Sequence, residues 1–463
     1  MFPLLFFIIL IPFLSIPILL VIPAYLIKKV QSVSAILVLL LSFLLLYGSL
    51  TSQSYLTAPI SLNYLGFNVG FSLTQNTLIL EIMAAIVFAA SSIGIDYFIK
   101  DNKRTYAILF ALIEGSSIAL FLSSSLLFLY VFWEIAEFSM FFIIYLYGAS
   151  NRRYAAIKFI LYSIISSLLL LVAILFIYIN ITPNTFSISQ IIATASTIPP
   201  TTQLIILILL LVSFMIKIPI FPFHNWLPDA HTQAPTQGSM ILAGVLLKFG
   251  GYGLILTSFM LPIFKNYEIY LAAIFSLSAL YSVFVAMRQS NLKRTIAYSS
   301  ITDMAIVSIG IASGSILGVN GALYGMLGHA IAISMLFLVA GTLKELYGTL
   351  DISALKGVIK NFHALAYLFI AATFATVGIP LTVGFIADLL IFTAAFTTFG
   401  AIALIPLLSV ILLGALLFWI IERVFLSGRS VQTGYLVNSV LYSEIFLLAI
   451  TLIFGIMPSL LIH

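Results

Sequence analysis

The chain has 463 residues, of which 63% are hydrophobic and 7% are charged, and its formal net charge is +5. Soluble domains average about 25% charged residues, so the composition excludes a soluble globular protein, and the long unbroken apolar runs exclude the alternating strands of a porin-type barrel. The sequence has no cysteine, no P-loop and no dinucleotide-binding glycine motif. We therefore expect no metal, redox centre or nucleotide on this chain, and no basic cluster of the kind that binds nucleic acid.

Apolar segments of roughly 20 residues, the length that crosses a bilayer, predict an all-α polytopic membrane protein with about fourteen transmembrane helices. In chain order they lie at 2–26, 31–50, 77–99, 105–122, 124–148, 154–180, 202–221, 237–262, 268–287, 293–313, 319–345, 362–397, 401–425 and 437–461. The first is too long for the apolar part of a signal peptide and is expected to remain as a membrane helix. All are assigned to one membrane domain, residues 1–463.

Basic residues fall almost entirely on one side of the membrane when the predicted loops alternate sides. Sixteen lie on that side, and only Lys265 lies on the other. The sixteen are Lys28, Lys29, Lys100, Lys103, Arg104, Arg152, Arg153, Lys158, Arg288, Lys293, Arg294, Lys344, Lys356, Lys360, Arg423 and Arg429. The positive-inside rule makes this side cytoplasmic. The protein is therefore predicted to lie in the cell membrane, or in the inner membrane of an organism with two membranes. Both termini are predicted to lie on its outer side.

Ionisable residues inside the predicted helices are the main indication of function. A charge at the bilayer centre costs roughly 2.5–3.5 kcal/mol even on insertion scales, and the protonation of a buried acid or lysine responds to small changes around it. The alternative, that a residue only ties helices together, applies most to Glu81, Glu114 and Glu444. The set comprises Glu81, Glu114, Glu134, Glu137, Lys217, Lys248, Asp303, His329, Asp388 and Glu444.

Two predicted helices contain a proline beside such a charge. The seventh reads SFMIKIPIFPFHNW, with Pro219 and Pro222 after Lys217, and the twelfth reads TVGIPLTVGFIAD, with Pro380 before Asp388. Proline opens the hydrogen-bond ladder of a helix, and the freed backbone groups are tolerated in a bilayer only where they face protein or water. A simple proline kink is the alternative, but two kinks that each accompany an ionisable residue favour an ion path.

The spacing of these charges predicts an internal repeat. Glu134 and Lys217 are 83 residues apart, and Asp303 and Asp388 are 85 apart. Helices four to eight (105–262) and nine to thirteen (268–425) then form two five-helix repeats. Because five is odd, the second repeat is inverted in the membrane. Interrupted helices at matching places in inverted repeats indicate a transport site.

Two histidines, His224 and His231, lie on the predicted cytoplasmic turn after the seventh helix. Their spacing of seven suggests a metal site, but Asp229 is the only nearby acid and a third neutral ligand is missing. We expect them to order the turn or to take part in proton uptake.

Four segments of the sequence resemble the antiporter-like subunits of respiratory complex I, the M type among them. The most specific is IKIPIFPFHNWLPDAHTQAPTQGSMILAGVLLKFGGYG at 216–253, and the others are YVFWEIAEFSMFFIIYLYG at 130–148, QSNLKRTIAYSSITDMA at 289–305 and YGMLGHAIAISMLFLVAGTLKELYG at 324–348. The resemblance implies a proton-translocating subunit of an NADH:quinone-type oxidoreductase that has no redox centre of its own. It would lie beside other antiporter-like subunits, with iron–sulfur clusters and quinone held by partners. Mrp-type sodium/proton antiporters and membrane-bound hydrogenases use related subunits and remain alternatives, whereas a purely structural scaffold does not explain the buried lysines.

The resemblance also implies roles for individual residues. Glu134 and Lys217 match a switching ion pair, Lys248 matches the central lysine that passes the proton on, and His329 and Asp388 match residues of the outward path. Two positions depart from the family pattern, which often has histidine at the position of Asp303 and glutamate at that of Asp388. An additional aspartate in the outward path could raise its affinity for a cation.

Overall fold

The fold consists almost entirely of helices, as the composition predicts. The computed structural model describes residues 2–51, 60–64, 67–428 and 434–462. Within these residues, thirteen helical segments are long and apolar enough to cross a membrane. One of them, Val383–Leu426, is 44 residues long and contains two helices, and the apolar helix His363–Val377 is shorter than a full span. The predicted set of about fourteen membrane helices is therefore confirmed, with the twelfth made of two pieces.

In the first part of the chain the described residues form nine α-helices and one antiparallel pair of strands. The helices are α1 (Phe2–Val21), α2 (Ile27–Thr51), α3 (Gln75–Ile93), α4 (Ile95–Phe98), α5 (Lys103–Leu122), α6 (Leu126–Tyr147), α7 (Arg152–Asn180), α8 (Ile188–Thr194) and α9 (Pro200–Lys217). The strands β1 (Ile60–Tyr64) and β2 (Phe67–Phe71) pair antiparallel, with Ile60 opposite Phe71.

The rest of the chain supplies ten more helices. They are α10 (Trp226–Gln233), α11 (Thr236–Ile241), α12 (Leu247–Met260), α13 (Glu268–Met287), α14 (Leu292–Ala312), α15 (Ile316–Tyr347), α16 (His363–Val377), α17 (Val383–Phe399), α18 (Leu404–Ile420) and α19 (Asn438–Ile456). A π-helical stretch, Leu242–Leu246, joins α11 to α12, and a second one, Ile421–Leu426, follows α18.

The long helix α15 forms the centre of the bundle. The most apolar 18-residue stretch of this helix is fully buried, and α14, α16, α17, α19 and α3 pack around it. Glycines allow the close approach of α17: a Cβ on Gly321 would lie 2.8 Å from the backbone nitrogen of Ile391, and one on Gly328 would lie 3.2 Å from that of Gly384. Small residues at such crossings let membrane helices pack through their backbones. One continuous hydrophobic core extends from Leu5 to Leu461.

Both predicted helix breaks are present, although the first extends further than expected. Helix α9 ends at Lys217, residues 218–225 are irregular, and α10 continues as a second half-helix. The predicted end of the seventh helix at residue 221 is therefore wrong. The helix is interrupted around the two prolines, and a new helix begins after the interruption. The second break separates α16 from α17, with Gly378 at φ +70° and Leu381 at φ +80°.

Ion pairs gather at one end of the bundle. Asp96 bridges Lys28 and Lys103, at 3.4 and 2.8 Å, and Asp229 bridges Lys158 and Arg294, at 2.7 and 2.9 Å. Partial burial raises the pKa of Asp96, but its hydrogen bond and attraction to Lys103 and its attraction to Lys28 outweigh that effect and hold the pKa below its usual range. These contacts bring together loops that the sequence places on the basic side. Arg429, one of the sixteen basic residues, lies outside the described residues.

Candidate functional site

Lys217 ends α9 inside the bundle, where its side chain is almost completely buried. Its Nζ forms an ion pair with the carboxylate of Glu137 on α6. The rings of Trp133, Phe159, Trp226 and Phe249 surround the ammonium group, with centroids 5.6–6.0 Å from Nζ. Cations are attracted to aromatic faces, most strongly when they are desolvated. The four rings and one carboxylate thus stabilise a charged lysine in an apolar interior.

The sequence-based interpretation pairs Lys217 with Glu134, but in the structure Glu137 forms the ion pair instead. Glu134 lies one turn away on the same helix, is only partly buried, and forms side-chain hydrogen bonds with Tyr130 and Ser167. Residues three apart share a helix face only approximately. In this case one carboxylate points into the bundle and the other lies near its surface.

Hydrogen bonds hold the irregular segment after Lys217 in place. The indole Nε1 of Trp226 donates to the carbonyl of Ile216 at 2.9 Å, so one backbone acceptor at the break is satisfied from inside the protein. The backbone N–H of Phe221 donates to Ser278 Oγ of α13 at 3.0 Å. Polar backbone at membrane depth is thereby paired within the protein, as an interrupted helix requires.

Lys248 is buried in α12 and contacts a histidine of the central helix. Its Nζ donates to the carbonyl of Ala243 at 2.5 Å and lies 2.6 Å from Nδ1 of His329 on α15. Ala243 belongs to the π-helical stretch, whose widened turn alters the usual pattern of backbone hydrogen bonds. Such stretches are frequent at functional sites. At this distance the lysine and the imidazole nitrogen form a hydrogen bond.

A small cavity continues from His329. Its volume is about 40 Å³, which is enough to hold water. Asp303, His329, Asp388 and Thr376 contribute polar groups to its walls. Both aspartates lie deep in the bundle yet keep part of their surface open to this space. Nε2 of His329 is buried and has no hydrogen-bond partner among the described residues, so the imidazole lies between Lys248 and a cavity that can hold water.

The second helix break positions Asp388. A Cβ on Gly378 would lie only 2.6 Å from Oδ2 of Asp388, so the carboxylate packs directly against the backbone at the end of α16. Gly378 also adopts a left-handed φ of +70°, a conformation that glycine adopts without steric cost. Glycine at 378 therefore provides both the bend and the space for the carboxylate.

The six predicted relay residues fall into two clusters. Lys217, with Glu134 close by, forms one cluster, and Lys248, Asp303, His329 and Asp388 form the other. Phe249 contacts the first cluster, whereas its neighbour Lys248 points in a different direction, toward His329 on α15. Within the described residues no hydrogen bond joins the two lysines. The structure thus divides the predicted relay at α12.

His224 and His231 are not on an exposed turn. They are 2% and 0% exposed, and the segment that carries His231 is the half-helix α10. The ring of His231 stacks on Phe337 with centroids 4.6 Å apart. None of their four ring nitrogens has a hydrogen-bond partner in the part of the chain that the structure describes. Among the described residues no group of three or more histidine, aspartate or glutamate side chains is arranged to hold a metal ion.

Three other buried carboxyls lie away from both clusters. Glu81 accepts a hydrogen bond from Ser42 at 2.5 Å. Glu114 is 1% exposed, and neither oxygen of Glu444 has a partner in the protein. The first therefore ties α2 to α3, in line with the structural alternative.

Sequence reasoning missed Glu137 as the partner of Lys217, and it missed the aromatic cage. The spacing of Glu134 and Glu137 was a signal that two carboxylates compete for one lysine. The ring positions carried no comparable signal, because Trp133, Phe159 and Phe249 come from three different helices.

The fold and the site define a polytopic membrane protein with two interrupted helices and a buried series of titratable side chains. Residues 123–414 match the family described as NADH:quinone oxidoreductase/Mrp antiporter, TM. NADH-quinone oxidoreductase subunit M of Rickettsia prowazekii is 38% identical over 376 residues, covering 79% of this chain and 76% of the relative. The chain belongs to the membrane-subunit family of NADH:quinone oxidoreductases and Mrp antiporters.

Solved structures agree with this assignment. A chain of respiratory complex I from Thermus thermophilus superposes with a TM-score of 0.89 at 25% identity, covering 98% of this chain and 96% of that one. A chain of the Mrp complex from Dietzia superposes with a TM-score of 0.85 at 17% identity, covering 98% and 95%. The second likeness concerns the fold alone.

Proposed function

We propose that this chain is the M-type antiporter-like subunit of a complex I-type NADH:quinone oxidoreductase and that it translocates protons. The observation that carries the proposal is the contact between Lys248 and His329 beside a cavity lined by two aspartates. Buried ionisable groups are costly in a membrane and by default suggest a functional site. The contact supports a path from the lysine through the imidazole to the cavity.

The proton path follows from the geometry of the second cluster. Lys248 donates to Nδ1 of His329, and the imidazole releases a proton from Nε2 toward water in the cavity. Asp388 and Asp303 accept it there and pass it outward. Imidazole suits this step because its two nitrogens accept and donate on opposite edges of one ring.

The first cluster supplies a switch. A charge pair about 4 Å apart at an effective dielectric constant near 20 is worth roughly 4 kcal/mol. Opening the pair at Lys217 therefore removes about that much stabilisation of the charged lysine. The energy for opening it comes from partner subunits, which carry the iron–sulfur clusters and bind quinone.

The inverted repeat is part of this proposal. In 105–262, α5 packs on α6, α6 on α7, and α7 on α9. In 268–425, α13 packs on α14, α14 on α15, and α15 on α16 and α17. The same order of neighbours, with an interrupted helix at the same place in each series, supports two related halves within one membrane domain, residues 1–463.

The proposed orientation places the basic end of the bundle in the cytoplasm and both termini outside. The ion pairs at Asp96 and Asp229 support it, because they gather basic loops at one end. Because the chain has no cysteine, single cysteines can report the side. Lys265→Cys should react with a membrane-impermeant thiol reagent only from outside, and Lys100→Cys only from the cytoplasm. The reverse pattern would overturn the orientation.

The test of function is Lys248→Met in the complete membrane complex, purified through a tag on this chain and reconstituted in vesicles. Proton uptake per NADH oxidised should fall severely, because the central proton carrier is lost. Lys265→Met, which removes an exposed lysine, is the matched control and should behave as wild type. Unchanged pumping by Lys248→Met would refute the proposal. Co-purified subunits with quinone-binding and iron–sulfur sites support complex I, and nickel–iron subunits would indicate a hydrogenase.

A second candidate is a subunit of an Mrp-type sodium/proton antiporter. The specific observation is that two aspartates, with no lysine, line the cavity, which suits a small cation as well as a proton. Co-purification of small Mrp subunits and sodium-dependent proton movement without NADH would favour this candidate.

A further inference from the structure

Lys217 lies close to two carboxylates in different surroundings. Glu137, its ion-pair partner, is 1% exposed, and within residues 2–51, 60–64, 67–428 and 434–462 its second oxygen has no hydrogen-bond partner. Glu134 carries hydrogen bonds from Tyr130 and Ser167 and interacts electrostatically with the same lysine. One positive charge therefore faces an inner and an outer negative group, and it can neutralise only one of them at a time.

The outer carboxylate adjoins a surface that is open to lipid or to another subunit. Val131, Phe138 and Phe142 are 40–44% exposed, and they lie at helical spacing around Glu134 on α6. Glu137, by contrast, lies beside the buried ring of Trp133. A change at the α6 surface therefore reaches Glu134 first.

We propose that Glu137 is a positioning residue that holds Lys217 at rest, and that the ammonium group exchanges between Glu137 inside and Glu134 near the surface. This inference rests on the proposed function and adds a second carboxylate to its switch. Leaving Glu137 unpaired in an apolar site is unfavourable, so Glu137 draws the lysine back after each exchange. The aromatic cage supports the charge during the movement, because its rings interact with the cation without a fixed direction.

The test compares Glu137→Gln with wild type in the reconstituted complex. Glutamine keeps the shape but removes the charge, and proton pumping should fall roughly tenfold or more, because the resting state of the switch is lost. Glu444→Gln, at another buried carboxyl, is the matched control and should pump normally. If Glu137→Gln does not assemble, Glu137→Asp retains the charge one methylene shorter and should give an intermediate rate.

A double-variant cycle separates positioning from packing. If Glu137 acts only through the lysine, Glu137→Gln should add nothing in a Lys217→Met background. An equal additional loss in that background would show a packing role and overturn the inference, as would normal pumping by Glu137→Gln or by the aspartate variant. If Lys248→Met abolishes pumping while Glu137→Gln leaves it intact, this inference alone fails. If Lys248→Met pumps normally, the proposed function itself fails.

Discussion

His329 connects the lysine to the cavity, and its replacement is the most informative single change. In His329→Leu the Nζ of Lys248 loses an acceptor at 2.6 Å and retains only the carbonyl of Ala243. A buried hydrogen bond to a charged group contributes about 1.5–3 kcal/mol. If the transition state for proton transfer loses that amount, the transfer slows by about ten- to a hundredfold.

The assay is proton uptake into vesicles containing the assembled complex, followed with a pH-sensitive dye alongside NADH oxidation. His329→Asn is the sharper variant, because its amide oxygen can still accept a hydrogen bond from Lys248 while the side chain cannot pass a proton on. We expect normal assembly but impaired pumping. His363→Leu changes an exposed histidine at the start of α16 and serves as the control. Full pumping by His329→Asn would show that the imidazole is only a structural partner, and the proposed path would be wrong.

Three further predictions concern the cavity, the basic end and pH. Ala387→Val adds two methyl groups to the cavity wall, each about the size of one water molecule, so proton uptake should slow. Ala387→Ser should preserve proton uptake. Equal rates for the two variants would show that water in the cavity is not needed. Asp229→Asn leaves Lys158 and Arg294 without a shared carboxylate and should lower the thermal midpoint of the purified complex by a few degrees, corresponding to about 1.5–3 kcal/mol for hydrogen bonds to charged groups. An unchanged midpoint would contradict this. Because the folded-state pKa of Asp96 is depressed, its stabilisation is present above the ordinary aspartate pKa of about 3.9 and is lost as pH falls through the lower folded value. Acidification from roughly pH 5 to 3 should therefore destabilise wild type more than Asp96→Asn, and parallel curves would refute the assignment.

The membrane helices were predictable because length and hydropathy are local properties. The two breaks were predictable for the same reason, since Pro219 and Pro380 stand beside ionisable residues in otherwise apolar runs. The second half of the seventh helix was missed. Residues 226–233 contain Asp229 and His231 and read as a polar turn, but the surrounding bundle buries them as the half-helix α10. Tertiary packing determines the conformation of this segment, so the local sequence pattern could not predict it.

The candidate site was predictable as a set of residues but not as a set of contacts. A lysine inside an apolar segment stands out in the sequence because burying its charge is energetically costly. The choice between Glu134 and Glu137, by contrast, depends on the rotation of α6 and on where α9 ends. The cavity was also beyond prediction, because its walls come from α14, α15, α16, α17 and α18. The pairing was inferred from a family resemblance, and the chain departs from the implied pairing through its additional glutamate.

Helix α12 couples the two clusters of the relay, because it contacts both of them. The ring of Phe249 forms part of the cage around Lys217, while the adjacent Lys248 forms hydrogen bonds with the π-helical stretch and with His329 on α15. A rotation or shift of α12 that changes one of these environments changes the other, because successive residues move as one rigid backbone. Direct proton transfer between the lysines is therefore not required for their states to depend on each other. Mechanical coupling through α12 and proton transfer through water are separable, because replacing Phe249 by leucine would alter the cage of Lys217 while leaving the contact between Lys248 and His329 intact.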